Sequence, residues 1–229
     1  MSKKKVAIFD IDGTIFRSSL MIELVKEFVN QGIFAKKVEK AYLDDYHEWL
    51  NRKDSYEKYL DAMIETFEKN IIGVKKSDFW RIARKIVKLH KNHVYRYTRN
   101  LVKDLKNKDY YLLAISNSPE IMVSDFCKKW GFNKVYGRLY EYDKNKKFTG
   151  KILYLENISD KSKILNIALA RENLTLKNSV GVGDTESDIP FLRMVERPIC
   201  FDPNKKLYYY AKKRGWKIVV ERKDVIYYL

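Results

Sequence analysis

The stretch Lys5–Thr14, KVAIFDIDGT, sets two carboxylates directly after a short apolar run. Asp10 and Asp12 end the run, and a glycine and a threonine follow at once. A short apolar run bounded by turn residues is typical of a buried strand in a parallel sheet. Because ligand sites in open α/β sheets lie beyond the carboxyl ends of the strands, both aspartates are candidate site residues. Two carboxylates this close repel each other, so we expect a hard divalent cation beside them.

Two other interpretations stay open when this stretch is taken alone. The D-x-D-G pattern also occurs in calcium-binding EF-hand loops, but those need a third acidic residue before the glycine and a preceding helix. Here position 8 is an isoleucine, and the run before Asp10 is strand-like. A solvated turn without a function is the second alternative, and it is weakened only by the rest of the chain.

The composition indicates a soluble protein with a sizeable core. The chain has 229 residues, enough for one large domain or two small ones, and 45% of them are hydrophobic. Neither Cys127 nor Cys200 has a Cys or His neighbour at metal-ligand spacing, which suits a reducing compartment. The N-terminal apolar run is too short for a signal peptide, and no stretch approaches the ~18 apolar residues of a membrane span. We therefore expect a cytoplasmic protein.

The net charge of +16 raises the question of an anionic partner. The excess is mostly lysine and is spread along the chain, which fits the general amino-acid usage of a host as well as it fits a binding surface. Nucleic-acid binding is thus not favoured as the main function, although the charge does not exclude it. A positive field would also attract a phosphorylated substrate.

The order of apolar patterns predicts a helical insertion followed by an alternating α/β region. Four stripes with a 3.6-residue period follow Thr14 and indicate helices. These stripes begin at Met21, Phe34, Tyr56 and Phe79. Short apolar runs then alternate with helical stripes, which implies a parallel, right-handed, doubly wound sheet. We predict an α/β core domain over residues 1–16 and 96–229, and an all-helical cap domain over residues 17–95.

Polar side chains of complementary kinds follow the later predicted strands. Those strands are Tyr110–Ile115, Ser179–Gly183, Ile199–Phe201 and Lys217–Val220, with a hairpin at Leu139–Tyr142 and Phe148–Ile152. Ser116 follows the first of them, Asp184 and Asp188 follow the second, and Lys161 opens a helix between the two. Singly, these are ordinary turn, cap or surface residues. Their ordered occurrence at strand ends favours a metal-assisted phosphate site, in which carboxylates hold Mg²⁺ and donors hold phosphate.

At this point the chain closely resembles the haloacid dehalogenase (HAD) superfamily of phosphohydrolases. Its four motifs match FDIDGT, ISNSP, the lysine of DKSKIL, and GDTESD. A helical segment between the first and second motifs resembles the C1-capped branch, and RPICFDPNKKLYYYAKKRGWKIV is similar to the phosphoserine-phosphatase-like group, subfamily IB. The resemblance covers the whole chain and implies a Rossmann-like HAD core with an inserted cap.

The resemblance also implies a role for each matching residue. Asp10 would be the nucleophile that forms an aspartyl-phosphate, and Asp12 would be the general acid and then the general base. Mg²⁺ would be held by the Asp10 carboxylate, the Asp12 main-chain oxygen and Asp184. Asp188 would orient this set or Lys161.

The remaining implied roles concern the phosphoryl group. Ser116 and Asn117 of the second motif would bind its oxygens, and Lys161 would neutralise both it and Asp10. Lys163 is a rival for that role, but the S-K-I-L that follows Lys161 matches the small-x-x-Leu spacing of the family. The second aspartate, Asp12, implies phosphoryl transfer to water, because a dehalogenase has no alkoxide to protonate.

The resemblance thus predicts a Mg²⁺-dependent phosphomonoester hydrolase acting on a small phosphorylated metabolite. Phosphoserine is a doubtful substrate, because Ser19 stands where phosphoserine phosphatases carry a glutamate. The alternatives are a nucleic-acid 3′-phosphatase, phosphoryl transfer to an acceptor other than water, and a non-catalytic or regulatory protein that keeps the fold. The sequence specifies neither the substrate, nor the oligomeric state, nor which cap residues face the site.

Overall fold

The computed structural model describes residues 3–154 and 160–229, and the chain divides into two compact units. The first, here called the sheet unit, comprises Met1–Arg17, Lys91–Arg138 and Tyr154–Leu229. The second, here called the helical unit, comprises Ser18–His90 and Leu139–Leu153. The helical unit therefore contains a segment that lies outside the cap range of 17–95 predicted from the sequence.

The sheet unit contains the predicted α/β architecture. Its strands are β1 (Lys4–Phe9), β2 (Tyr111–Pro119), the first half of β3 (Lys134–Tyr142), β5 (Leu174–Gly183), β6 (Arg197–Phe201), β7 (Lys217–Arg222) and β8 (Val225–Tyr228). Their order is β3-β2-β1-β5-β6-β7-β8, and all neighbours are parallel except β7 and β8. The doubly wound parallel sheet is confirmed, and β8 is a strand that the sequence analysis did not predict.

Strand β1 lies in the middle of this sheet, which explains its unbroken apolar run. Val6–Phe9 are fully buried, because helices cover both faces of a parallel sheet. Val6 and Ile8 belong to a core cluster with helices α7 (Lys161–Arg171), α8 (Ile189–Leu192) and α9 (Lys205–Arg214). The described part of the unit also contains α5 (Arg96–Asn107) and α6 (Glu120–Lys128). Asp10 thus follows the central strand of the sheet.

The helical unit is built around stacked aromatic side chains. Its helices are α1 (Leu20–Asn30), α2 (Leu43–Leu50), α3 (Tyr56–Asn70) and α4 (Lys76–His90), with a 3-10 segment at Lys36–Ala41. Phe28 stacks on Phe34 at 4.7 Å and contacts Phe67 and Phe79 from α3 and α4. The second predicted helix was wrong in type, because its stripe forms the 3-10 segment, and α2 was not predicted. No helix among the described residues combines the length and hydrophobicity that a membrane span requires.

A hairpin of β3 and β4 (Phe148–Leu153) completes the helical unit, as the sequence predicts a hairpin there. The first half of β3 runs parallel to β2, and its second half pairs antiparallel with β4. Phe148 packs against Phe79 and Tyr140, and Phe67 contacts Tyr140, so the hairpin shares the aromatic core of the helices. The main-chain N–H of Gly73 donates to the Phe148 carbonyl at 2.8 Å.

Candidate active site

The loop after β1, residues 10–14, forms a tight turn that fixes the first two aspartates. The main-chain N–H of Asp10 donates to the Val182 carbonyl at 2.9 Å, so it continues the pairing of β1 with β5. Gly13 has φ +75°, a conformation that favours glycine, and a side chain there would overlap the Asp184 carboxylate. The Thr14 hydroxyl donates to Asp184 Oδ1 at 3.0 Å. The loop after β1 therefore touches the loop after β5 directly.

Lys161 is the first residue of α7 and lies 3% exposed among carboxylates. Its position is set by Asp160, whose side chain caps the helix by accepting from the Ser162 main-chain N–H at 2.9 Å. Lys161 Nζ pairs with Asp10 and, at 2.6 Å, with Asp188 Oδ1. A buried ammonium group is stable only when it is paired in this way. The rival Lys163 is exposed, so the geometry favours Lys161.

Ser116 brings the second strand end to the same place. Its hydroxyl donates to Asp12 Oδ2 at 2.8 Å and accepts from the Ser118 main-chain N–H at 3.0 Å. β2 continues through Ser116 to Pro119, rather than ending at Ile115 as predicted. Asn117 lies in the same strand and is half-buried. The arrangement fixes the rotamer of Ser116 and holds the Asp12 carboxylate by one of its oxygens.

The loop after β5, residues 184–188, is closed by its last residue. Asp188 is fully buried, and its Oδ2 accepts from the main-chain N–H groups of Asp184 and Thr185 at 2.9 and 3.1 Å. Thr185 and Asp188 form a capping box on the short 3-10 turn Glu186–Asp188. A Cβ on Gly183 would lie 2.5 Å from the Asp188 carboxyl carbon, so only glycine leaves room for this contact.

Burial and mutual repulsion dominate the electrostatics of the site. The pKa of Asp10 is raised to about 8, chiefly by burial and also by the carboxylates of Asp188 and Asp12, while the charge of Lys161 opposes the rise. Burial, with Asp10 and Asp188, also raises the pKa of Asp184 well above its usual range. Burial disfavours the charge of Lys161, but the two carboxylates beside it outweigh this and raise its pKa. One ammonium group thus faces more than one buried carboxylate.

This charge balance fits a divalent cation. Carboxylate oxygens of Asp10, Asp184 and Asp188 lie within 4.8 Å of one another, close enough to share an ion. Both oxygens of Asp188 already accept hydrogen bonds within the protein, which leaves Asp10 and Asp184 as the better side-chain ligands. Hard oxygen donors with excess negative charge are the set that Mg²⁺ prefers.

The structure brings the residues singled out from the sequence into one cluster around Asp10. Direct contacts join Asp10, Lys161 and Asp188, and a second contact joins Asp12 to Ser116. Asn117 is adjacent in sequence, but no contact ties it to the carboxylates. Thr14 was missed, although its place directly after the D-x-D-G pattern was the available signal. Its bond to Asp184 gives this threonine a part in holding the cluster together.

Comparison with known proteins now places this geometry in a family. A model of haloacid dehalogenase-like hydrolases matches residues 7–193. The chain belongs to that family. The resemblance drawn from the four sequence motifs is therefore confirmed, and so is the predicted enzyme class, a hydrolase of the HAD type.

Several relatives of this haloacid dehalogenase-like hydrolase match over nearly the whole chain. A histidinol-phosphatase of Neisseria meningitidis is 23% identical over 94% of this chain and 98% of its own length. A phosphoserine phosphatase of Methanocaldococcus jannaschii is 25% identical over 97% and 95%. Among solved structures, a protein of unknown function from Bordetella pertussis has a TM-score of 0.73 at 18% identity, covering 95% of this chain and 98% of its own. A substrate-bound phosphoserine phosphatase reaches 0.62 at 21% identity, over 98% and 96%. These structures share the fold.

Proposed function

We propose that this protein is a Mg²⁺-dependent phosphomonoesterase that works through an aspartyl-phosphate on Asp10. The observation that carries the proposal is the buried contact of Lys161 with both Asp10 and Asp188. Lys161 opposes the rise in the pKa of Asp10 caused by burial, and a bound cation would favour the carboxylate further. Lys161 contacts Oδ1 of Asp10, which leaves the other carboxylate oxygen to react. The names of two relatives, a histidinol-phosphatase and a phosphoserine phosphatase, support the reaction class.

In the first half of the reaction, an Asp10 carboxylate oxygen attacks the phosphorus of the substrate. The new oxygen–phosphorus bond forms as the bond to the alkoxide leaving group breaks. Asp12 delivers a proton to that alkoxide, so the product leaves as a neutral alcohol. Lys161 offsets the charge that gathers on the phosphoryl oxygens, and Ser116 donates a hydrogen bond to one of them.

In the second half, water attacks the phosphorus of the aspartyl-phosphate. Asp12, now a carboxylate, takes a proton from that water, and the phosphorus–oxygen bond to Asp10 breaks to release inorganic phosphate. Before substrate binds, the hydrogen bond from Ser116 to Asp12 Oδ2 holds the Asp12 carboxylate in the site. The Ser116 hydroxyl then turns to the phosphoryl oxygen when substrate arrives, which frees that Asp12 oxygen for proton transfer. Asp188 is a positioning residue, because it acts through Lys161 and through the loop that carries Asp184.

The Asp10 carboxylate, the Asp12 main-chain oxygen and Asp184 would hold Mg²⁺. When bound, the ion supplies positive charge that offsets the buried carboxylates and the incoming phosphate. Thr14 keeps the Asp184 carboxylate turned toward the first loop by its hydrogen bond.

We propose a small phosphorylated metabolite as the substrate and the cytoplasm as the location. Both relatives have names of phosphatases that act on small amino-acid-like phosphates, which favours this class over a polymer. Ser19, the position at which a phosphoserine phosphatase would carry glutamate, is a buried N-cap residue of α1. Cys127 and Cys200 are buried free thiols, as suits a reducing compartment.

Phosphate release from a panel of phosphomonoesters, with Mg²⁺ and with a chelator, tests the proposal. The panel spans amino-acid, sugar and glycerol phosphates, histidinol phosphate, nucleotides and a 3′-phosphorylated oligonucleotide. Asp10→Asn should lower release by at least about 10⁴-fold, because an amide is not a nucleophile. Asp104→Asn, an exposed aspartate of the same unit, is the matched control.

A second experiment addresses the intermediate itself. Acid quenching during turnover, followed by mass spectrometry of the peptide that contains Asp10, should show the mass increment of one phosphoryl group. Full turnover by Asp10→Asn, or a phosphoryl group on another residue, would refute the assignment of the nucleophile.

A further inference from the structure

A groove in the helical unit has a strongly positive lining. It has a volume of about 760 Å³ and lies between the first turns of α4 and the turn that joins β3 to β4. Five of its lining side chains are cationic, namely Lys75, Lys76, Arg81, Arg84 and Lys146. No aspartate or glutamate of the described chain lines it. We call this feature the basic groove.

Main-chain hydrogen bonds hold these charges close together. The N–H of Lys76 donates to the Lys146 carbonyl at 2.8 Å, and Lys75 forms an antiparallel bridge with Lys147. The segment before α4 and the hairpin turn are therefore fixed to each other by the backbone. Like charges held close together in this way repel each other. Lys76 also packs over the ring of Tyr142, with its Nζ 4.5 Å from the ring centroid.

Neighbouring carboxylates compensate only part of this charge. Arg81 lies 3.7 Å from Asp78, an exposed pair of little energetic weight. Across residues 3–154 and 160–229, no ion pair involves Lys75, Lys76, Arg84 or Lys146. Lys75 and Lys76 also stand at the start of α4, where the helix dipole is positive and acidic residues are the stabilising choice. Asp78 in the same turn follows the dipole preference, whereas these two lysines oppose it and add to the positive charge of the groove.

An aromatic ring lies among the cations. The indole of Trp80 is half-buried in the lining, with Arg84 at 5.1 Å and Lys76 at 5.6 Å from its centroid. Cationic side chains that track a phosphate backbone, together with an aromatic ring that stacks on a base, form the combination that binds single-stranded nucleic acid. An unpaired base can lie against an indole edge or face, whereas a duplex keeps its base faces covered.

We propose that the basic groove binds single-stranded nucleic acid. Lys75, Lys76, Arg84 and Lys146 contact successive phosphates, and Trp80 contacts a base. Single-stranded nucleic acid is favoured over an anionic membrane because the lining holds one aromatic side chain and no exposed aliphatic one. All of its residues belong to the helical unit, whereas the catalytic carboxylates belong to the sheet unit.

Anisotropy of a fluorescein-labelled oligothymidylate of about twelve nucleotides without terminal phosphates tests the proposal. Four phosphate contacts predict a slope of about −2.8 for log K against log salt. The triple variant Lys75→Gln, Arg84→Gln, Lys146→Gln should reduce this slope to about −0.7 and weaken binding at least about tenfold near 0.1 M salt. The control variant removes three exposed cations of the sheet unit by Lys103→Gln, Lys177→Gln and Arg214→Gln. Its slope should differ from the native slope by less than about 0.7, the contribution of one phosphate contact.

Tryptophan fluorescence provides a second readout that does not depend on the triple variant. The oligonucleotide should quench the native protein, and Trp80→Phe should remove most of that quenching. Asp10→Asn should bind as the native protein does, which separates the groove from catalysis. Equal effects of the two triple variants would overturn the proposal, as would tighter binding of a duplex of the same length. Binding to phosphatidylserine vesicles without binding to the oligonucleotide would overturn it as well.

Discussion

The loops after β1 and β5 both end a buried strand in two aspartates, but they use them in opposite ways. In the loop after β1, Asp10 and Asp12 contact residues far along the chain, Lys161 and Ser116. In the loop after β5, Asp188 turns back to accept two main-chain N–H groups of its own loop. Both loops present carboxylates to other elements, but only the second uses one of its carboxylates, that of Asp188, to fix its own main chain.

The two loops therefore have different roles in one site, although their sequence patterns are similar. The carboxylates of the first loop are held by side chains, so they can exchange partners during a reaction. Asp188 is held by backbone groups and by Lys161, so replacing it should alter the shape of the site as well as its charge. Substitutions should therefore separate the two loops, the first through activity and the second through stability.

After the nucleophile itself, the largest effect is expected for Asp12→Asn. Its amide cannot transfer a proton, so kcat should fall by about 10²–10⁴-fold on an alkyl phosphate. Stability should change by less than about 0.5 kcal/mol, because Ser116 can still donate to the amide oxygen. Parallel kinetics and urea unfolding measure both. An aryl phosphate, whose leaving group needs no proton, should keep a near-native burst of aryl alcohol release while its steady-state turnover falls with the loss of the general base. An equal loss of the burst rate on both substrates would contradict the acid role of Asp12.

Asp188→Ala should show the reverse pattern. It removes a buried partner of Lys161 and leaves two main-chain N–H groups without their acceptor, so unfolding should become easier by about 3–5 kcal/mol. Mg²⁺ affinity should fall about 10–100-fold, because Asp184 loses its support. Asp188→Asn keeps one oxygen for the backbone and should lose less. If the alanine variant lost less than about 1 kcal/mol of unfolding free energy, this would contradict the role of Asp188 in fixing the main chain of its loop.

Gly13→Ala tests the contact between the two loops. A left-handed φ costs an alanine about 1–2 kcal/mol, and the added methyl group would also displace the Asp184 carboxylate. Gly215 has φ +65° and open space within 4 Å of the point that a Cβ would occupy, so Gly215→Ala carries the backbone cost alone. We expect Gly13→Ala to lose at least about 1 kcal/mol more than Gly215→Ala, together with Mg²⁺ affinity. Equal losses with native Mg²⁺ affinity would show that the loops are independent.

The smallest effect concerns Asp202, which follows β6 outside both loops. Burial raises its pKa to about 6, although its Oδ1 accepts from the Glu221 main-chain N–H. Because the folded pKa exceeds the unfolded value of 3.8, this group lowers stability as the pH rises from about 4 to about 6. Between these two pH values, the free energy of unfolding should fall by about 1 kcal/mol less for Asp202→Asn than for the native protein, after allowance for the partial exposure of Asp202. Urea unfolding with Mg²⁺ at both pH values measures it, and an unchanged slope would contradict the shift.

The sequence predicted the α/β order and the strand-end residues well, because both follow from local patterns. A buried parallel strand leaves a continuous apolar run, and the site must lie at its carboxyl end. β8 was missed because Val225–Tyr228 is largely exposed and shows no buried face. The 3-10 segment at Lys36–Ala41 was taken for a helix because its apolar residues share the helical spacing.

Long-range partners could not be predicted in the same way. The bond from Thr14 to Asp184 joins residues 170 positions apart, and no local pattern in either segment specifies it. The grouping of the β3–β4 hairpin with α3 and α4 depends likewise on aromatic packing that appears only in three dimensions. The sequence could therefore identify the members of the site, while their individual contacts required the structure.

Because β3 passes from one compact unit into the other, the chain crosses between the units more than twice. A recombination event that exchanged residues 18–90 alone would separate Phe67 and Phe79 from Tyr140 and Phe148, and would expose two rings that are now 7% and 2% accessible. The helical unit consists of two separate segments of the chain, and both must be inherited together. Transplanting it between relatives, in the laboratory or in evolution, requires that Leu139–Leu153 travel with the helices.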